Sequence, residues 1–193
     1  MNHVIDAIMK RRTIRNYAPE QIDSEKLQQI LDAGLYAPTG GGRQSPVMLV
    51  CQNREANEQL GRLNRKLFGR ANANGIRFVS EAQKSIADDD SIQSGFYGAP
   101  TVITLFAPRA WAYGIHDCTP VAVTMSMAAW SLGIGSCYVS RAEETFETEL
   151  GRELMAEAGI GRDYIARVHL CLGYPAGKVG EAKPRRQERI KFI

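Results

Sequence analysis

Four basic residues crowd into six positions near the start of the chain, where residues 10–15 read KRRTIR. A second basic segment, KPRRQERIKFI at residues 183–193, holds five basic residues and one acid. Each segment contributes +4 to a chain whose net charge is +3, so the residues between them sum to −5. Arginine forks pair with phosphate oxygens, and Thr13 adds a hydroxyl donor between them. The pattern indicates either two clusters that converge on one compact anion or two solvated basic edges.

Composition excludes several classes of protein. The 193 residues, of which 44% are hydrophobic and 23% charged, suit one globular domain covering residues 1–193. Basic residues form no broad face, so a nucleic-acid partner is not expected. No apolar run is long enough for a bilayer, so we expect no membrane association and a cytoplasmic location. The cysteines contain no C-x-x-C pair, which argues against a metal site or a disulfide framework.

Glycine-rich segments do not match the common nucleotide-binding or hydrolase motifs. GYPAGKV (173–179) has three residues, not four, between its glycines, and LGIGSCY (132–138) lacks both a nucleophile elbow and the third glycine of a dinucleotide fingerprint. The histidines have no metal-ligand spacing either. What remains is anion binding beside glycine-rich backbone.

Alternating helices and strands must position these residues, and they predict an α+β domain with a sheet covered on both faces. Periodic apolar residues predict five helices: one after Asn2 ending near Lys10, one from Asp23 or Ser24 to Leu35, and helices over 55–70, 119–132 and 142–158. Apolar runs predict strands over 47–52, 101–107, 135–140 and 165–174. Residues 71–97 are predicted to be the least regular third, and PTGGGRQSP (38–46) to be a loop that lets a ligand approach its backbone.

Five blocks resemble, in the same order, the nitroreductase-like FMN flavoenzymes. RRTIRNY is similar to their R-R-S-x-R-x-[FY] opening, and APTGGGRQSP to their A-P-S-x-x-N-x-Q-P-W loop. YGAPTVITLF, MAAWSLGIGSCYVS and LGYPAGKVGEAKPRR resemble their later strand and glycine segments. The resemblance implies a nitroreductase-like fold: a central mixed, mostly antiparallel sheet flanked by helices, in an interlocked homodimer.

The resemblance also implies a set of FMN-binding residues. Those expected at the phosphate are Arg11, Arg12, Thr13, Lys183 and Arg185. Arg15 is expected at the pyrimidine end of the flavin, where a positive charge stabilises the reduced ring. Those expected from the partner subunit are Pro38, Thr39 and Gly40. Those expected to border the isoalloxazine ring are Tyr138, Val139, Ser140 and Arg141.

The implied activity is that of an NAD(P)H oxidoreductase. NADH or NADPH would give hydride to flavin N5, and a small-molecule acceptor such as a nitroaromatic or a quinone would then take the electrons. No side chain is predicted to be catalytic, because the flavin carries the chemistry. The alternatives are a non-redox FMN-binding protein and a relative with other flavin chemistry, such as dehalogenation or dehydrogenation.

PRAWAYG (108–114) follows a predicted strand, where a loop can overhang a cofactor. Arg109, Trp111 and Tyr113 are the predicted substrate-binding residues, because flat aromatic faces stack on aromatic acceptors and the guanidinium attracts a nitro or carboxylate group. The alternative is an exposed connector with scattered aromatic residues.

Two departures from the family pattern concern the cofactor. The loop has Gly42 where the family often has Asn, and QSP in place of Q-P-W leaves it without a tryptophan. Some relatives place an amide and a lysine on the flavin edge, whereas DDDSIQSGF (88–96) has no basic residue. The residue of 71–97 that holds this edge is therefore left unassigned.

Overall fold

A four-stranded sheet forms the centre of the protein, whose structure, a computed structural model, describes residues 2–68 and 81–193. The strands in these ranges are β1 (Val47–Cys51), β2 (Thr101–Pro108), β3 (Gly135–Val139) and β4 (Tyr164–Gly173). The helices in the same ranges are α1 (His3–Lys10), α2 (Ser24–Leu35), α3 (Arg54–Lys66), α4 (Gly114–Ser131), α5 (Ala142–Phe146) and α6 (Glu149–Glu157).

The sheet has the order β1-β2-β4-β3, and every neighbouring pair of these strands is antiparallel. A β-bulge between Leu105 and Phe106 shifts the register of β2 against β4. Beside β3, Thr13 forms a parallel bridge with Ser136, which brings the basic segment to the sheet. This arrangement confirms the predicted α+β fold with a mostly antiparallel sheet.

Apolar side chains cover both faces of the sheet, as the long apolar runs predict. On one face, Ile103 and Leu105 of β2 pack with Met125 of α4 and Ile30 of α2. On the other face, residues of β2, β3 and β4 pack against α3, α5 and α6, with Phe106 and Phe146 in edge-to-face contact at 5.0 Å. The two strands at the centre of the sheet are therefore buried on both sides, which gives the site a rigid support.

Short polar side chains begin several helices where the sequence predicts them. Asn2 accepts a hydrogen bond from the Val4 N–H at 2.9 Å, and Asp23 accepts one from the Lys26 N–H at 2.9 Å. These bonds satisfy backbone donors that have no partner within the helix. The predicted starts of the first two helices are confirmed.

Three predicted helices have different bounds in the structure. The helix predicted from 119 begins at Gly114, because backbone bonds from Gly114 and Asp117 to the preceding turn extend it upstream of Pro120. The helix predicted over 142–158 is two helices, since Thr148 caps a new start by accepting from the Gly151 N–H. The predicted helix over 55–70 spans Arg54–Lys66, and positions 69–70 lie outside the described residues.

The segment predicted to be irregular is partly described. Residues 81–97 contain a 3₁₀ turn, Glu81–Gln83, followed by turns, while 71–80 lie outside the described residues. Within the ranges that the structure covers, no helix combines the length and the apolar character needed to cross a membrane.

Candidate functional site

The basic segment lies along β3 because Ile14 is buried between its arginines. The Ile14 N–H donates to the carbonyl of Ser136 at 2.9 Å, and the Ile14 side chain is fully buried. Gly135 leaves room for it, since a Cβ at Gly135 would lie 2.5 Å from Ile14 Cγ1. Neighbouring residues then point away from the core, and Thr13 and Arg15 are half-buried on either side.

Positive charge accumulates at Arg11, and no carboxylate among the described residues shifts its pKa. Burial lowers the pKa of Arg11, and the charges of Arg12 and Arg185 lower it further, while the Cys137 thiol opposes them. The charge of Arg185, in the C-terminal basic segment, thus acts on Arg11 in the N-terminal one. Like charges that are partly desolvated favour a bound anion.

Arg12 has a second, structural set of contacts. Its Nη1 donates to the carbonyls of Met9 and Arg11, both at 2.8 Å, at the end of α1. Its Nε is buried and has no partner among the described residues. One side of this guanidinium thus caps the helix and the other retains an unused donor. Lys183 lies in the exposed C-terminal segment together with Arg185.

Gln83 joins Arg15 from the segment that sequence reasoning left unassigned. Its Oε1 accepts from the Arg15 N–H, and its carbonyl accepts from Arg15 Nη1 at 3.1 Å. Gln83 is only 4% exposed, and its Nε2 has no partner among the described residues. The Arg15 guanidinium also lies 5.8 Å from the centroid of the Tyr97 ring. A buried amide donor beside an arginine suits a carbonyl group of a ligand.

Cys137 of β3 is shielded from solvent. Burial raises its pKa to about 11, although Arg15 opposes this rise through its charge and a hydrogen bond. The thiol is therefore protonated at neutral pH and not nucleophilic. This excludes it as a reactive group beside the arginines.

The turn after β3 is fixed by α3. Arg141 has a left-handed backbone, with φ of 63°, and its Nη2 donates to Asn64 Oδ1 at 2.9 Å. Asn64 is buried and donates in turn to the Ser140 carbonyl at 2.9 Å. Burial also lowers the pKa of Arg141. A left-handed non-glycine residue is costly and persists where several contacts enforce it, often at binding sites.

The side chains before this turn alternate between the core and the surface. Val139 is buried, whereas Tyr138 is 43% exposed and its hydroxyl lies 3.2 Å from Thr119 Oγ1. The Tyr138 ring is thus not part of the core, and its exposed face remains available to a ligand.

Residues 38–46, which we call the glycine loop, form a tight turn around Gly40–Gly42. Gly41 and Gly42 have positive φ angles of 61° and 65°, which other residues rarely adopt. Thr39 Oγ1 accepts from the Gln44 N–H at 2.9 Å and closes the turn. Pro38 precedes this closed turn, so the three residues predicted to contact the cofactor lie together at its start.

The predicted substrate residues divide between two places. Trp111 contacts the glycine loop, where Arg43 lies 4.4 Å above its ring, and Tyr113 meets Trp111 edge-on at 5.3 Å. Arg109 instead donates to Glu147 at 2.8 Å and lines a cavity of about 190 Å³ beside the α5–α6 junction. Among the described residues, the ion pair of the Arg109 side chain is thus with that junction and not with the loop.

Comparison with known proteins identifies the class. The family model of the nitroreductase family matches residues 8–174, so the chain belongs to this family. It is similar to a nitroreductase from Bacteroides fragilis solved with bound FMN, at 25% identity and a TM-score of 0.81, with 100% of both chains covered. A second FMN-bound nitroreductase, from Desulfitobacterium hafniense, has the same fold at 23% identity and a TM-score of 0.79, covering 100% of this chain and 99% of that one.

A functionally named relative is the NADPH-flavin oxidoreductase of Vibrio harveyi. It is 24% identical over 186 residues, which cover 96% of this chain and 70% of the relative. The match to the family model, residues 8–174, includes the N-terminal basic segment, the glycine loop and β3.

Proposed function

We propose that the protein is an FMN-dependent NAD(P)H oxidoreductase. Family membership and the flavin-related names of similar proteins support the class. The observation that carries the proposal is the half-buried positive charge at Arg11, to which Arg12 and Arg185 add their charges. In the same basic segment, Arg15 is bonded to Gln83, whose amide Nε2 has no partner among the described residues. A phosphate and a carbonyl-bearing ring are the groups that such donors recognise.

The phosphate would be held by the two basic segments together. Arg11 and Thr13 lie where the first segment leaves α1, and the charge of Arg185 contributes to the lowered pKa of Arg11. Lys183 would add a further donor from the same segment as Arg185, and Arg12 would contribute its free Nε. Each charge-assisted hydrogen bond would contribute about 1.5–3 kcal/mol to binding.

The ring would lie along the end of β3. Gln83 would donate its free amide N–H to a pyrimidine carbonyl, and Arg15 would place positive charge at the same edge. Tyr138, Val139, Ser140 and Arg141 would border the opposite edge of the ring.

When bound, FMN would supply the hydride acceptor, taking hydride from NADH or NADPH at N5 and passing electrons to a second substrate. The protein would bind and orient FMN and the substrates, because no described side chain at this place is suited to act as an acid or a base. Trp111 and Tyr113 would border the space for an aromatic acceptor, and Arg109 remains a predicted acceptor contact.

We further propose that the working unit is a homodimer of single-domain subunits. Val4, Ile5, Ile8 and Met9 of α1 are each at least 50% exposed, and Phe192 is 92% exposed. A second copy that covers these apolar surfaces would also bring its Pro38–Gly40 segment to the neighbouring flavin. The free cysteines of the described ranges suit a reducing, cytoplasmic location.

Anaerobic titration of the purified holoprotein with NADH and NADPH tests the proposal. We expect a yellow protein whose absorbance near 450 nm is bleached by at least one nucleotide and restored by a quinone or a nitroaromatic. A yellow protein that neither nucleotide bleaches would indicate a non-redox FMN-binding protein instead.

A further inference from the structure

A single buried carboxylate joins the glycine loop to Trp111. Asp117, in the first turn of α4, is 3% exposed and accepts three hydrogen bonds of 2.7 Å. The Gly40 N–H donates to Oδ1, while Ser45 Oγ and Trp111 Nε1 both donate to Oδ2. Three segments of the chain therefore meet at one side chain.

These hydrogen bonds keep Asp117 ionised in spite of its burial. Burial raises the pKa, but the bonds from Ser45, Gly40 and Trp111 outweigh it and leave the pKa of Asp117 below its ordinary value. A carboxylate accepts from neutral donors more strongly than an amide does. Its charge thus strengthens all three contacts at once.

The Trp111 ring is also fixed by packing against the loop. A Cβ at Gly40 would lie 3.2 Å from Trp111 Cζ2, so the absence of a side chain there lets the ring approach. The Arg43 guanidinium covers the ring at 4.4 Å. The indole is therefore held at its edge by Asp117 and over its face by the loop.

We propose that Asp117 is a positioning residue that holds the glycine loop and Trp111 as one unit. Flavin contact through Pro38–Gly40 and acceptor contact through Trp111 then depend on the same carboxylate. This inference rests on the proposed function, because it assumes that FMN and the acceptor meet these two segments.

The test is the variant Asp117→Asn, which keeps the shape but must set an amide N–H against at least one of the three donors. We expect the FMN Kd, measured by quenching of flavin fluorescence on the apoprotein, to rise about fivefold, the factor of one average hydrogen bond. The KM for p-benzoquinone should rise by a similar factor, while kcat at saturating FMN stays within about twofold. Ser45→Ala, which removes one donor and leaves the carboxylate, should shift both constants in the same direction and serves if Asp117→Asn does not fold.

Two further variants make the test selective. Trp111→Phe removes the donor of the hydrogen bond from Trp111 Nε1 to Asp117. In the double variant with Asp117→Asn, Kd and KM should therefore be no higher than in the more affected single variant. Asp23→Asn makes the same chemical change at the cap of α2, where Asn caps a helix as well as Asp does, and should change neither constant.

The outcomes separate this inference from the proposed function. A wild-type holoprotein that neither NADH nor NADPH reduces would defeat the proposed function, whereas the FMN Kd comparison is independent of activity. Wild-type values of Kd and KM in Asp117→Asn would overturn the inference, as would multiplicative effects in the double variant.

Discussion

His169 of β4 makes the stability of the protein depend on pH. Its ring is fully buried between Phe96 and Phe146, at centroid distances of 4.7 and 5.8 Å, and its Nδ1 lies 2.9 Å from Thr104 Oγ1. Burial, aided by the charge of Arg141, lowers the pKa of His169 from 6.5 to about 3. The folded protein therefore holds a neutral imidazole throughout the range in which the unfolded chain becomes protonated.

The magnitude follows from the two pKa values. Above pH 6.5 the ring is neutral in both states, so its titration does not affect stability. As the pH falls below 6.5 the unfolded state gains a proton that the folded state refuses, and the free energy of unfolding decreases by about 1.4 kcal/mol per pH unit. At pH 5 the loss reaches about 2 kcal/mol.

The variant His169→Leu removes this titration while keeping an apolar side chain of similar size. It should be less stable than wild type at pH 7, because Thr104 loses its partner, yet lose about 2 kcal/mol less between pH 7 and pH 5. Urea unfolding followed by circular dichroism, at one protein concentration and with excess FMN, gives both values. Equal losses in the two proteins would refute the argument that His169 is buried and neutral.

Two other changes test the support of the site. Gln83→Glu keeps the oxygen that accepts from the Arg15 N–H but replaces the amide Nε2, which has no partner among the described residues. We therefore expect about tenfold weaker FMN binding by fluorescence titration. The exposed control Gln93→Glu should bind FMN like wild type, and unchanged binding in both variants would exclude Gln83 from the site. Gly135→Ala forces a Cβ against Ile14 and should cost about 1–3 kcal/mol of stability in thermal unfolding; a wild-type Tm would contradict the close packing of the basic segment on β3.

Local chemistry explains what the sequence could predict. Asn2 and Asp23 cap their helices through neighbours two or three positions away. Short apolar runs such as 101–107 favour strands of a sheet that is covered on both faces. The predicted start of α4 at residue 119 was wrong, because backbone bonds from Gly114 to Trp111 and from Asp117 to Tyr113 begin the helix upstream of the apolar run. The break after α5 depends on the Thr148 cap. The apolar periodicity continues across this residue and therefore predicted a single helix.

Contacts distant in sequence account for the rest. Asp117 receives donors from residues 77 and 72 positions away, and nothing in the local pattern around it indicates them. The same bonds bring Trp111 to a loop whose own sequence lacks a tryptophan. Gln83 meets Arg15 across 68 positions, so an amide in an irregular segment gave no sign of its role.

The most direct measurement of the central claim compares FMN with riboflavin, which differs only in lacking the phosphate. Titration of the apoprotein should show FMN binding at least about 100-fold more tightly, since two charge-assisted contacts contribute about 3 kcal/mol or more. In the double variant Arg11→Ala/Arg185→Ala the preference for FMN should fall by about 100-fold, the factor of two charge-assisted contacts. Arg62→Ala, on an exposed pair with Glu58, should keep the wild-type preference. Riboflavin binding as tightly as FMN to the wild-type protein would contradict the phosphate site at the two basic segments.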